Sequence, residues 1–92
     1  MYYVYILYSK KDKKLYVGQT ANLKERLIEH KEGRVKSTKN RRPLVLIHRE
    51  SFTTRYDAMR REKFLKSLYG GKIKKKILKR YLENKNNEEK FV

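Results

Sequence analysis

The chain has 92 residues and no cysteine, enough for one compact domain with one modest core but not for two. Lys and Arg number 26 against 10 Asp and Glu, a net charge of +16 with a sequence pI near 10.2 and a mean hydropathy of −0.99. These values exclude a disulfide scaffold and a thiolate zinc site, and they point to a polyanion as the partner.

Lysine enrichment matched by glutamate would speak for a merely solvated surface. Here the acidic side does not match, so nucleic acid is the expected ligand. An anionic membrane surface fits less well, because no strongly apolar helix face accompanies the charge. The N-terminal run is too short to span a bilayer and lacks the basic lead of a secretory signal. A cytoplasmic protein is expected, which the lack of cysteine suits.

Tyr2-Tyr-Val-Tyr-Ile-Leu-Tyr8 is rich in aromatic and β-branched residues and predicts a strand apolar on both faces, hence central or covered. Ser9 to Lys14 is a polar hairpin loop. Leu15-Tyr16-Val17 returns as a second strand that stops at Gly18, and so short a link forces antiparallel pairing. In the usual register Tyr5 and Tyr16 share a face as cross-strand or diagonal neighbours; a one-residue slip would separate them.

Asn22 followed by Glu25 resembles a capping box, and the helix it opens should run from Leu23 to about Glu32, ending at Gly33. Its inward stripe reads Leu23, Arg26, Leu27, His30. Two polar side chains therefore follow the buried seam. Burying an unpaired guanidinium is costly. Arg26 either snorkels to water or rims a polar pocket over the sheet.

Arg34 to Arg42 is a basic loop without periodicity, and Lys36, Lys39, Arg41 and Arg42 are its candidate phosphate contacts. Pro43 opens a third strand, Leu44 to His48, where His48 reads as a surface or packing residue rather than a ligand. Ser51 to Thr54 offer N-caps for a helix from about Arg55 to Leu68, closed by Gly70-Gly71, with Ala58, Phe64, Leu65, Leu68 and Tyr69 on its apolar arc. Glu62 lies at the edge of that arc among cations. It is either the partner of Lys66 one turn on or a metal ligand, and spacing alone favours the ion pair. Lys24, Lys63 and Lys66 complete the candidate nucleic-acid contacts.

Lys72 to Leu82 predicts a basic amphipathic helix with Ile73, Ile77, Leu78, Tyr81 and Leu82 on its stripe. The remainder is polar and expected to fray, giving a domain over residues 1–83 and a tail over 84–92. The sequence holds no internal repeat, phosphate-binding loop, dinucleotide fingerprint or serine elbow, so no organic cofactor is expected.

Tyr5, Tyr16, Arg26, His30 and Glu62 together supply an acid or base, a phosphate clamp and a carboxylate. Phosphodiester hydrolysis needs those parts. A hard divalent ion can be held by one carboxylate plus waters and substrate phosphate, a fixed guanidinium can stabilise phosphoryl charge, and a phenol or imidazole can orient or deprotonate water.

In order and spacing these residues resemble the GIY-YIG endonucleases, above all the short stand-alone bacterial members. The resemblance lies in Tyr3-Val4-Tyr5, in Tyr16-Val17-Gly18, in Asn22 to Leu27 with His30, and in Glu62 within Ala58 to Lys66, and it covers roughly residues 2 to 80. It implies an α/β (α+β) domain, a small three-stranded antiparallel sheet flanked by helices. It implies DNA, branched or single-stranded, as substrate, and one divalent ion, Mg²⁺ or Mn²⁺, at Glu62. Tyr5 and Tyr16 would orient or activate water, Arg26 would stabilise the transition state, and His30 would assist proton transfer or contact phosphate. DNA repair or recombination is the expected setting. Tyr3 stands where the family motif has Gly, and the Asn that larger members place after the metal-binding Glu has no counterpart, Asn84 lying too far along. No second DNA-binding domain accompanies the site, so weak sequence specificity is expected. The rival expectation is a nucleic-acid-binding module that keeps this fold but cuts little or not at all. Oligomeric state is left open.

Overall fold

A computed structural model describes residues 1–84 and 89–92. Its sheet has three antiparallel strands, β1 (Tyr2–Ser9), β2 (Leu15–Thr20) and β3 (Leu44–Phe52), in the order β2-β1-β3. The three helices are α1 (Leu23–Lys31), α2 (Arg55–Lys66) and α3 (Gly71–Glu83). This is the expected α+β domain with a three-stranded sheet.

The sheet lies between two helical layers. Val4, Ile6 and Val17 pack on Ala58 and Leu65 of α2, with Ile73 and Ile77 of α3 against them. Tyr5, Leu7 and Leu44 face the other way, toward Leu23 and Leu27 of α1. Alternate residues of β1 are thus buried in opposite layers. Its apolar character on both faces follows from that central place, and Val4 through Leu7 are wholly buried.

The β1–β2 ladder pairs Leu7 with Tyr16 and Tyr5 with Gly18. β2 therefore continues through Gly18 to Thr20 instead of stopping there. The glycine serves a close approach, not a turn: a Cβ at Gly18 would lie 2.5 Å from the Tyr5 hydroxyl oxygen. The β1–β3 ladder shifts register once, pairing Ile6 with His48 but Leu7 with Leu46. Ile47 is the extra residue of that bulge. It reverses the alternation of β3, so Leu44 and Leu46 face the α1 layer whereas Phe52 packs in the α2 layer.

After the bulge, Glu50 accepts two bonds from Arg61 of α2, at 2.8 and 3.0 Å, and pairs with His48 at 2.8 Å. Burial by itself would raise the Glu50 carboxyl; Arg61 and then His48 more than offset it and hold it below its ordinary range.

Two expectations about the second half change. The helix from Arg55 ends at Lys66, because Ser67 is extended (φ −83, ψ 169). Leu68 and Tyr69 then sit in a short 3-10 turn, 98% and 83% exposed, outside the apolar arc on which continuous helical phase would place them. The frayed C-terminal end also differs. Residues 85–88 lie outside the described ones. Beyond them the Leu46 amide donates to the Lys90 carbonyl and the Val92 amide to the Leu44 carbonyl, both at 2.9 Å, on the outer edge of β3. Glu89 holds that return in place by accepting from Lys10 at 2.7 Å and from Tyr81 at 2.6 Å.

Candidate active site

β1 and β2 place Tyr5 and Tyr16 on the same face, as diagonal neighbours with ring centroids 6.3 Å apart. The register is the expected one. α1 starts at Asn22, whose side chain accepts from the Glu25 amide at 3.1 Å, and this cap sets the phase that brings Arg26 and His30 over the same face. The His30 ring lies edge-on to both phenols, 5.5 Å from Tyr5 and 5.3 Å from Tyr16.

His30 is fully buried and both of its nitrogens are occupied. Nε2 is 2.8 Å from the Tyr5 hydroxyl and Nδ1 is 2.8 Å from the Thr38 hydroxyl. Burial first, and then the neighbouring Arg26 charge, pull the imidazole down to about 4. Burial likewise pushes the Tyr5 phenol up to about 12, against the pull of Arg26. At neutral pH the pair is a neutral phenol on a neutral imidazole. Its position behind Tyr5 withdraws His30 from direct phosphate contact.

Arg26 adopts the rim position. Its side chain is 35% exposed, donates to Glu29 at 3.2 Å, and stands close enough to Tyr5 and Tyr16 to feel both. Glu62 arrives from α2. Its side chain is 20% exposed, its charge reaches Tyr5, and its carboxylate holds Lys66 at 3.1 Å. The ion pair favoured on spacing is therefore present.

Among the described residues no three His, Cys, Asp or Glu side chains converge, so there is no all-protein metal cage. A single carboxylate whose charge is felt at Tyr5 does suit a hard ion that keeps most of its waters and takes the rest of its ligands from substrate phosphate. Asn84 caps α3 beside a groove of about 730 Å³ lined by Tyr8, Ile77 and Tyr81, in the layer opposite Tyr5. The convergent titratable groups lie elsewhere, around Tyr5.

The candidate nucleic-acid contacts divide. Lys24, Lys36, Lys39 and Lys63 are exposed. Arg41 is not free: it donates to Asp12 at 2.6 Å and to the Leu15 carbonyl at 3.3 Å, and it holds the Asp12 carboxyl down at about 2. Arg42 donates to the Lys39 and Lys31 carbonyls at 3.0 and 3.3 Å. Both arginines tie the loop to the domain. Thr38 had no signal in the sequence, being one hydroxyl in a basic loop. Gly18 could have been placed opposite Tyr5 from the hairpin register itself.

Comparison with known proteins places the chain in a family. A family model described as the GIY-YIG catalytic domain matches residues 1–78. Among curated proteins, the chain is 45% identical over 67 residues to a UPF0213 protein of Staphylococcus haemolyticus, covering 72% of this chain and 80% of that one. It is 42% identical over 83 residues to the UPF0213 protein YazA of Bacillus subtilis, covering 89% and 79%. A UPF0213 protein of Bacillus licheniformis is 38% identical over 88 residues, covering 95% and 84%. No solved structure matches.

Proposed function

The chain belongs to the GIY-YIG catalytic-domain family, a nuclease superfamily acting on nucleic acid, and from that premise we propose that it is a divalent-metal-dependent endonuclease hydrolysing phosphodiester bonds in DNA. The observation that carries the reading is the convergence of Tyr5 and Tyr16 on buried His30, with Arg26 on the rim beside them. Mg²⁺ or Mn²⁺, held through Glu62, would supply Lewis-acid stabilisation of a phosphoryl oxygen when bound.

The chain's own residues do the rest. Tyr5, hydrogen-bonded to His30 at 2.8 Å, orients the attacking water through its hydroxyl oxygen. Tyr16, partly exposed beside it, shapes the other wall of the water site. Arg26, set on the rim, stabilises charge growing on the phosphoryl oxygens; one such preorganised donor is worth about 3–4 kcal/mol. Exposed Lys24, Lys36, Lys39 and Lys63 hold the backbone on either side. A cytoplasmic setting and a role in DNA repair or recombination go with this reading.

One observation favours a second reading, a binding module that cuts little: Lys66 already neutralises Glu62. Cleavage assays separate the two. Single-stranded, nicked, flapped and branched DNA are incubated with Mg²⁺, Mn²⁺ or EDTA and with wild type, Arg26→Ala or Glu62→Ala. The nuclease reading expects metal-dependent products that fall about 10²- to 10³-fold in either variant while DNA affinity holds. No product from any wild-type reaction, with binding intact, leaves the binding module.

A further inference from the structure

We propose that Thr38 is a positioning residue for Tyr5: its hydroxyl fixes the His30 tautomer whose Nε2 lone pair accepts the Tyr5 O–H. The importance given to Tyr5 rests on the nuclease reading; the tautomer itself does not.

Tyr5, His30 and Thr38 are all at 0% exposure and form one chain of two 2.8 Å contacts. Only two proton arrangements are compatible with a neutral imidazole. In the first, Tyr5 donates to Nε2, Nδ1–H donates to Thr38 Oγ1, and the Thr38 proton turns to the Val35 carbonyl at 3.5 Å. Every buried donor then has an acceptor. In the second, Thr38 donates to Nδ1 and Nε2–H donates to Tyr5. The Tyr5 proton then has no acceptor within the protein, because among the described residues His30 is the group that can accept from that hydroxyl, while neighbouring Arg26 can only donate. Proteins avoid a buried donor left unmade, so the first arrangement stands.

Thr38 can impose this choice because its hydroxyl proton faces the Val35 carbonyl, which leaves Oγ1 an acceptor for Nδ1–H, and because its own backbone is held. Its amide donates to the Val35 carbonyl at 3.1 Å and its carbonyl accepts from Arg41 at 2.9 Å, while Val35 is buried beneath the loop. The other groups around the imidazole are Arg26 and Glu29 from α1 and Tyr16 from β2. None of them makes a hydrogen bond to His30 among the described residues. Of its two partners, Thr38 is the one off the sheet, and it sets the direction in which Tyr5 spends its proton. In the reverse tautomer Tyr5 would point its proton, not its lone pairs, at an incoming water.

The test reads the tautomer directly, without substrate. Long-range ¹H–¹⁵N correlation spectra of the imidazoles are recorded for wild type, Thr38→Ser and Thr38→Val; only His30 and His48 contribute. Wild type and Thr38→Ser should show His30 with a protonated Nδ1 and a bare Nε2. In Thr38→Val the two nitrogens should move toward a common averaged shift. A wild-type spectrum with Nε2 protonated overturns the proposal, and so does a Thr38→Val spectrum that keeps the wild-type tautomer. If Thr38→Val does not fold, Thr38→Ala, which also lacks the hydroxyl, is recorded in its place with the same two outcomes. In single-turnover cleavage Thr38→Val should lose about tenfold in rate at unchanged DNA affinity, with Thr38→Ser restoring it. A wild-type rate in folded Thr38→Val refutes the positioning role. Failure of wild type to cleave counts against the nuclease reading only, since the spectra stand without it.

Discussion

A methyl group at Gly18 would have to occupy the space of the Tyr5 ring, 2.5 Å from its oxygen and 2.6 Å from its Cζ. Tyr5 cannot swing aside, because it is buried and bonded to His30. Gly18→Ala is therefore expected to cost about 1–3 kcal/mol, as overpacking does, and to lose cleavage by more than its loss of stability explains. Urea unfolding and single-turnover assays read the two effects. His30 makes a pH prediction at the same scale. Its folded-state value of about 4 lies below the ordinary 6.5 of an unfolded histidine. The unfolded chain thus binds more protons between those values, and stability rises with pH across that window. Conversely, about 3 kcal/mol is lost as pH falls from about 6.5 toward 4. Denaturant midpoints measured from pH 7 to 4.5 should fall steeply in wild type and more gently in His30→Gln; equal slopes would refute the assignment.

Among the elements, the segment from Arg34 to Arg42 reads as one basic loop but consists of two kinds of residue. Val35 and Thr38 are buried in the domain, and Arg41 bonds to Asp12 and exposed Arg42 to the Lys31 carbonyl, whereas Lys36 and Lys39 are exposed. Removing an exposed phosphate contact should lower the slope of log affinity against log salt by about one. Lys36→Ala and Lys39→Ala are expected to do so. Arg41→Ala should leave that slope unchanged and lower the melting temperature, because it frees the hairpin at Asp12. Fluorescence anisotropy titrations at several salt concentrations, with thermal melts, distinguish the two classes. Net charge could not make this division. A count of cations says how strongly a surface attracts phosphate, not which guanidinium is already committed.

For the whole molecule, periodicity carried most of the fold. β1 was legible as a strand covered on both sides because Tyr2 through Tyr8 are all apolar or aromatic, and the α1 stripe showed Arg26 and His30 turned inward. The candidate site was legible where local geometry was enough: hairpin register at Tyr5 and Tyr16, helical phase at Arg26 and His30. It was not legible where a tertiary contact decides. Thr38 meets His30 across a loop, Ser67 breaks the phase of α2, and Glu89 to Val92 pair with β3 only once the sheet exists to receive them. No local pattern announces any of the three.

The bulge at Ile47 has a consequence for inheritance. β3 carries one residue more than its ladder with β1 requires, since Leu46 and His48 already pair with the adjacent Leu7 and Ile6. Loss of the Ile47 codon would join two half-strands that already face the correct layers, costing one apolar side chain and little else. β1 has no such reserve: a codon lost at Val4 would turn part of the central strand over and put Tyr5 in the wrong layer. A chain lacking Ile47 should still melt cooperatively by circular dichroism, and a chain lacking Val4 should not. The central strand is thus closed to deletions, while its neighbour holds one residue in hand.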